Sequence, residues 1–117
     1  MSYVDGFVLA VPKANLDAYK KLAETAGAVW KEHGALAFVE CTGDDVPYGE
    51  VTSFPRAVQA KDDEIVVFSW VVYESRQSRD AVMAKVMADP RLNGDLSTMP
   101  FDGKRMIFGG FQPFIEL

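Results

Sequence analysis

The side chains able to do chemistry are few. His33 is the single histidine, and histidine gains and loses its proton near neutral pH. It follows Trp30 at the end of an apolar helical stripe and precedes Gly34. As a functional group it would be a general base or ligand in a cleft. As a structural group it would end a helix, where a cation meets the negative pole of the dipole. One histidine is no zinc or haem signature, since zinc needs three or four ligands at set spacings. No metal site is expected and the cofactor is unknown. Glu40 lies among apolar neighbours in Phe38-Val-Glu-Cys41. At a sheet edge it would be a solvated charge that discourages edge pairing. Facing a cleft, its pKa would rise and it would become an acid–base group. Cys41, the single cysteine, has no adjacent histidine and reads as a small buried hydrophobe. Ser69 is the only serine or threonine inside a long apolar run; it either bonds a backbone carbonyl or marks a polar point in a pocket. No serine sits in a Gly-x-Ser-x-Gly elbow. Arg56, in Ser53-Phe-Pro-Arg56, either grips an anion bidentately or pairs with an acid across an interface. The interface reading is preferred, because arginine and aromatics are enriched there.

Together these residues suggest a small-molecule pocket between helices and sheet. Its walls would be Phe7, Trp30, Phe38, Trp70 and Phe108. His33 and Glu40 are the catalytic candidates; Trp30, Phe38, Ser69, Trp70 and Arg56 are the ligand-binding candidates. Apolar walls with few polar groups are typical of small-ligand sites. The alternative is a non-catalytic dimer whose apolar surfaces serve assembly alone.

The elements that must position them follow from periodicity. Glu64 to Tyr73 is β-branched or aromatic at nearly every position, which suits a strand. It lacks polar alternation, so both its faces must be covered. Helices of this chain can cover one face; a second copy is expected to cover the other. Tyr3 to Val11 reads as a first strand, ended by Pro12. Asp5 in it reads as an edge or strand-end carboxylate in water. Asn15 is a good cap for the helix that follows. Tyr19, Leu22, Ala23, Ala26, Val29 and Trp30 recur at helical steps. Gly27 permits close approach to the sheet, and Gly34 fits the left-handed stop. Ala35 to Thr42 is a second strand. A long connection spans residues 46–63, with Val51 to Phe54 as a short extra strand. Ser75 or Ser78 caps a second helix that ends at Pro90. A loop spans residues 91–104. Arg105 to Phe114 is the last strand, with Gly109-Gly110 marking a bulge or a close approach.

The order strand–helix–strand, twice, predicts an α+β, ferredoxin-like βαββαβ fold with a four-stranded antiparallel sheet. All 117 residues are expected to form one domain, 1–117. The net charge of −5 argues against nucleic acid and anionic membranes as partners, since both are gripped by Lys and Arg. Phe68 and Trp70 alone do not make an RNA-recognition strand. A lone cysteine suits a reducing compartment. Without a signal peptide or an apolar span, a cytoplasmic protein is expected.

Several segments together resemble one family. They are Thr52-Ser-Phe-Pro-Arg-Ala-Val58, Val67-Phe-Ser-Trp70, Lys85-Val-Met-Ala-Asp-Pro-Arg91, Met99-Pro-Phe-Asp-Gly-Lys-Arg-Met106 and Phe108-Gly-Gly-Phe111. They resemble the bacterial YbaA-like family (domain of unknown function 1428) over nearly the whole chain. The resemblance implies a dimeric α/β barrel, in which two ferredoxin-like subunits join their sheets. It implies no particular reaction and no catalytic residues. The superfamily includes cofactor-independent monooxygenases, isomerases, haem-dependent enzymes and members with no known activity.

Overall fold

Two long strands, β1 (Tyr3–Pro12) and β3 (Glu64–Tyr73), run antiparallel through the centre of the sheet. The computed structural model describes residues 2–92 and 99–117. β2 (Ala37–Thr42) pairs with β3, and β4 (Ile107–Phe111) pairs with β1. The strand order is β2-β3-β1-β4, all antiparallel. This is the expected ferredoxin-like arrangement.

The register decides which residues share a face, because successive side chains alternate. Tyr3, Asp5, Phe7, Leu9 and Val11 lie opposite Tyr73, Val71, Ser69, Val67 and Ile65. This face carries α1 (Leu16–Glu32) and α3 (Arg76–Ala88). Val29 of α1 and Val82 and Val86 of α3 pack on Val71 and Tyr73, while Tyr19 packs on Leu9, Val11 and Val67. Gly27 lets α1 approach β2, since a Cβ there would lie 2.9 Å from the Phe38 ring. Gly34 stops the helix with φ +121°.

Three local expectations need correction. Asn15 precedes α1, but its side chain makes no cap bond and donates to the Pro100 carbonyl instead. Val51 to Phe54 is not a strand. Ser53 accepts a hydrogen bond from the Arg56 amide and caps a short helix, α2 (Phe54–Ala57), with Pro55 in its first turn, where a missing N–H costs nothing. The connection then covers part of the opposite sheet face: Val58 packs on Val8, Ala10 and Val66. One chain therefore covers some of the face reserved for a second copy. β4 is shorter than expected and carries no bulge. Gly109 and Gly110 stay in register, and Gly110 is the close approach, where a Cβ would collide with Arg79 and Tyr3. Ser75, of the two candidate caps, accepts from the Ser78 amide.

Asp5 is also not solvated. β1 is a central strand, and Asp5 is 6% exposed. It accepts hydrogen bonds from the Tyr73 hydroxyl at 2.9 Å and from Arg79 Nε at 3.2 Å. Tyr73 in turn accepts from the Trp30 indole N–H at 3.0 Å. This relay joins β1, β3, α1 and α3. Tyr73→Phe leaves the indole and the carboxylate each short of a partner and is expected to cost about 1–3 kcal/mol in urea unfolding. An unchanged midpoint would show that the relay does not hold the helices to the sheet.

Candidate functional site

Between α1, α3 and the sheet lies a cavity of about 350 Å³. Phe7 and Phe108 stack on its strand side at 6.3 Å, and Trp30 and Phe38 meet at 5.7 Å. Phe101 meets Tyr19 edge-to-face at 5.6 Å. Met83, Met87, Met99 and Met106 complete much of the wall. The polar lining is sparse: Glu40, Tyr19 and Ser69.

Glu40 and Ser69 are direct cross-strand partners on the helix-bearing face. β2 is an edge strand, yet Glu40 turns inward, because its parity matches that of Phe38. The Tyr19 hydroxyl donates to Glu40 Oε1 at 2.5 Å. Burial raises the Glu40 pKa above the ordinary glutamate range, and the Tyr19 hydrogen bond partly offsets this. Burial also raises the Tyr19 pKa, with the neighbouring carboxylate adding to it, so Tyr19 stays a donor. Glu40 and Tyr19 also border an open groove of about 470 Å³ along the β2 edge, whose rim carries Lys20, Glu24 and Lys31. The carboxyl thus stands between an apolar pocket and solvent, as a proton-exchanging group requires.

The other candidates are placed differently. Trp30 and Phe38 line the cavity as expected, and Ser69 lies in its wall. Trp70 does not: strand alternation turns it to the opposite face, beside Phe68 at 5.7 Å. His33 is outside the cavity as well. It follows the last turn of α1, and its Nε2 lies 2.9 Å from Asp89. Arg91 bonds the same carboxylate at 2.7 Å and also reaches Glu32. Arg91 first, and then His33, hold Asp89 well below the usual carboxylate range. Glu32, His33 and Asp89 have ligand atoms within 4.8 Å of one another, but Arg91 already bonds both carboxylates. The cluster is an ion-pair clamp joining the ends of α1 and α3. Arg56 also lies outside the cavity: its guanidinium donates to the carbonyls of Tyr48 and Gly49 and covers the Tyr48 ring. Cys41 is exposed on the far face, not buried.

Tyr19 was missed as a functional group. Its place in the apolar stripe of α1 reads as core, and only the fold brings it to Glu40. The signal available was a hydroxyl on that stripe and one carboxylate among the apolar residues of the next strand.

The arrangement is that of a ferredoxin-like α+β protein with a helix–sheet pocket. Two solved structures share the fold. One is a dimeric ferredoxin-like protein from an uncultured marine organism, with TM-score 0.65 and 14% identity, covering 99% of this chain and 98% of that one. The other is SnoaB, a cofactor-independent oxygenase from Streptomyces nogalater, in a mutant form, with TM-score 0.57 and 15% identity, covering 99% and 96%. The chain belongs to the family described as protein of unknown function (DUF1428), whose model matches residues 2–103. The uncharacterized protein YbaA of Escherichia coli K12 is 53% identical over 116 residues, 99% of each chain. The Shigella flexneri protein of that name is equally similar.

The raised Glu40 pKa has a testable consequence. As pH rises from the ordinary carboxylate range, the unfolded chain releases this proton before the folded one does. Stability is therefore lost with rising pH up to the folded pKa. Glu40→Gln keeps an acceptor for Tyr19 and removes the loss. It should match the parent near about pH 4 and exceed it at about pH 7 in urea midpoint. A variant less stable than the parent at the higher pH would show that the Glu40 charge is stabilising.

Proposed function

We propose that the protein is a homodimer that binds a small, largely apolar molecule in the helix–sheet pocket, with Glu40 as its acid–base group. One observation carries the reading: among the described residues a single carboxyl, held by Tyr19, enters a cavity walled mostly by aromatic, methionine and aliphatic side chains. Such a site binds by burial and acts through its one titratable group. Cofactor-independent oxygenation, the activity in the SnoaB description, enters as an analogy of fold, and fold alone does not carry chemistry. His33 and Arg56 are left out of the site on this reading, since both are engaged elsewhere.

The far sheet face supports the dimer. Phe54, Phe68, Ile107 and Phe111 are 50%, 40%, 45% and 64% exposed there, and Trp70 lies among them. Phe114, just beyond β4, is 91% exposed. Soluble monomers rarely leave such a patch open, and an isologous two-fold contact closes it. Two sheets meeting on this face would form the dimeric α/β barrel, each subunit being one domain of residues 1–117. Among the described residues no helix is long and apolar enough to cross a membrane. The exposed thiol of Cys41 suits a cytoplasmic setting, where thiols stay reduced.

Light scattering at micromolar concentration should give twice the chain mass of 12.9 kDa. The double variant Phe68→Glu, Phe111→Glu should give the single mass. A single-chain particle for the parent sinks the dimer. The pocket is tested by thermal shift with a panel of small aromatic molecules. A ligand at a hundredfold excess over its Kd should stabilise the parent by about 2.7 kcal/mol. Met83→Trp fills the cavity and should abolish the shift; an undiminished shift would place binding elsewhere.

A further inference from the structure

We infer that the pocket's ligand is an uncharged aromatic molecule bearing a hydroxyl group, whose O–H donates to Glu40. This rests on the pocket reading above and adds the chemistry of what fills it. The wall decides the charge first. Among the described residues, no Lys, Arg or His lines the cavity, and residues 93–98 contain none. Arg79 is tied to Asp5 and Asp80, Arg91 to Glu32 and Asp89, and Arg105 to Glu64 and Asp102. A carboxylate or phosphate brought inside would be desolvated beside Glu40 with no counter-charge, which is strongly unfavourable. An ammonium would meet one carboxylate but brings three N–H donors. Pairing it with Glu40 would bury both charges in a largely apolar wall, and their attraction offsets that desolvation only in part. A cation thus carries a desolvation cost, and an anion is repelled as well.

The donor balance then selects the hydroxyl. The Tyr19 hydrogen is committed to Glu40 Oε1. Among the described residues this is the one hydrogen bond the Glu40 side chain makes, and a carboxylate has further acceptor positions. The wall therefore offers acceptor capacity in excess of donors. A ligand with one O–H fits that excess, whereas a pure hydrocarbon leaves it unused. The apolar part of the wall selects the ring. Aromatic residues enclose the cavity from both strand and helix sides, and every methionine after Met1 lines it. Thioethers adapt their shape and make favourable contacts with aromatic edges, and stacked or edge-on rings add to burial.

Four naphthalene probes separate these terms in fluorescence titrations of the purified full-length protein: 2-naphthol, naphthalene, 2-naphthoate and 1-naphthylmethylamine. Naphthol should bind at least about tenfold tighter than naphthalene, as one hydrogen bond to a charged acceptor provides. Naphthoate and the protonated amine should bind no better than naphthalene. Glu40→Gln should bring naphthol to within about threefold of naphthalene and leave naphthalene itself unchanged. Tyr19→Phe keeps the carboxylate and should keep the naphthol preference. Equal binding of naphthol and naphthalene, tighter binding of naphthoate or the amine, or an intact naphthol preference in Glu40→Gln would overturn the ligand class while the pocket stands. Failure of all four probes to bind would overturn the pocket reading with it.

Discussion

The β1–β3 ladder is the constraint on which the molecule depends. From Tyr3 opposite Tyr73 to Pro12 opposite Glu64, it pairs without a bulge. A slip of one residue would send every side chain to the wrong face. In register, Leu9, Val11, Val67 and Val71 meet the helices, and Phe68 and Trp70 are turned away from them. The ladder therefore separates two apolar surfaces with different fates. One is closed by α1 and α3. The other is partly closed by the connection through Val58 and stays open around Phe68 and Phe111.

The same parity turns an edge-strand carboxyl toward the cavity. Edge positions normally present charge to water. On β2, Glu40 shares its face with Phe38, so its carboxyl turns under α1. The close approach at Gly27 brings that helix down on Phe38, and Tyr19 reaches the carboxyl from the same helix. Half-burying a titratable group this way works against stability at neutral pH. The other charges do the opposite job. Arg105 grips Glu64 through two hydrogen bonds and lowers its pKa. Arg91 and His33 hold Asp89, and Arg79 holds Asp5. These pairs fasten segments together and leave the cavity free of cations.

Much of this was legible before any coordinates. Element order, the ferredoxin-like plan, a cap at Ser75 or Ser78 and the stop at Gly34 follow from local physics: hydrophobic period, capping hydroxyls and the left-handed freedom of glycine. So does the two-faced greasiness of β3. The pocket walls Phe7, Trp30, Phe38 and Phe108 were also readable, because large rings on elements that must pack together have few other places to go. The short helix at Phe54 was not, since Pro55 ends a strand or starts a helix equally well until the Ser53 cap is seen.

Sequence by itself determined the four strands and the two long helices, that the sheet would be apolar on both sides, and that there is one histidine and one cysteine. Those are properties of neighbours along the chain. Tertiary structure alone decided that Asp5 is buried, that His33 and Arg56 are engaged by the Asp89 carboxylate and by loop carbonyls, and that Glu40 meets Tyr19 at the pocket wall. Each of these is a contact between residues far apart in the chain. Strand order and register set such contacts, and no local pattern encodes the partner on the other side.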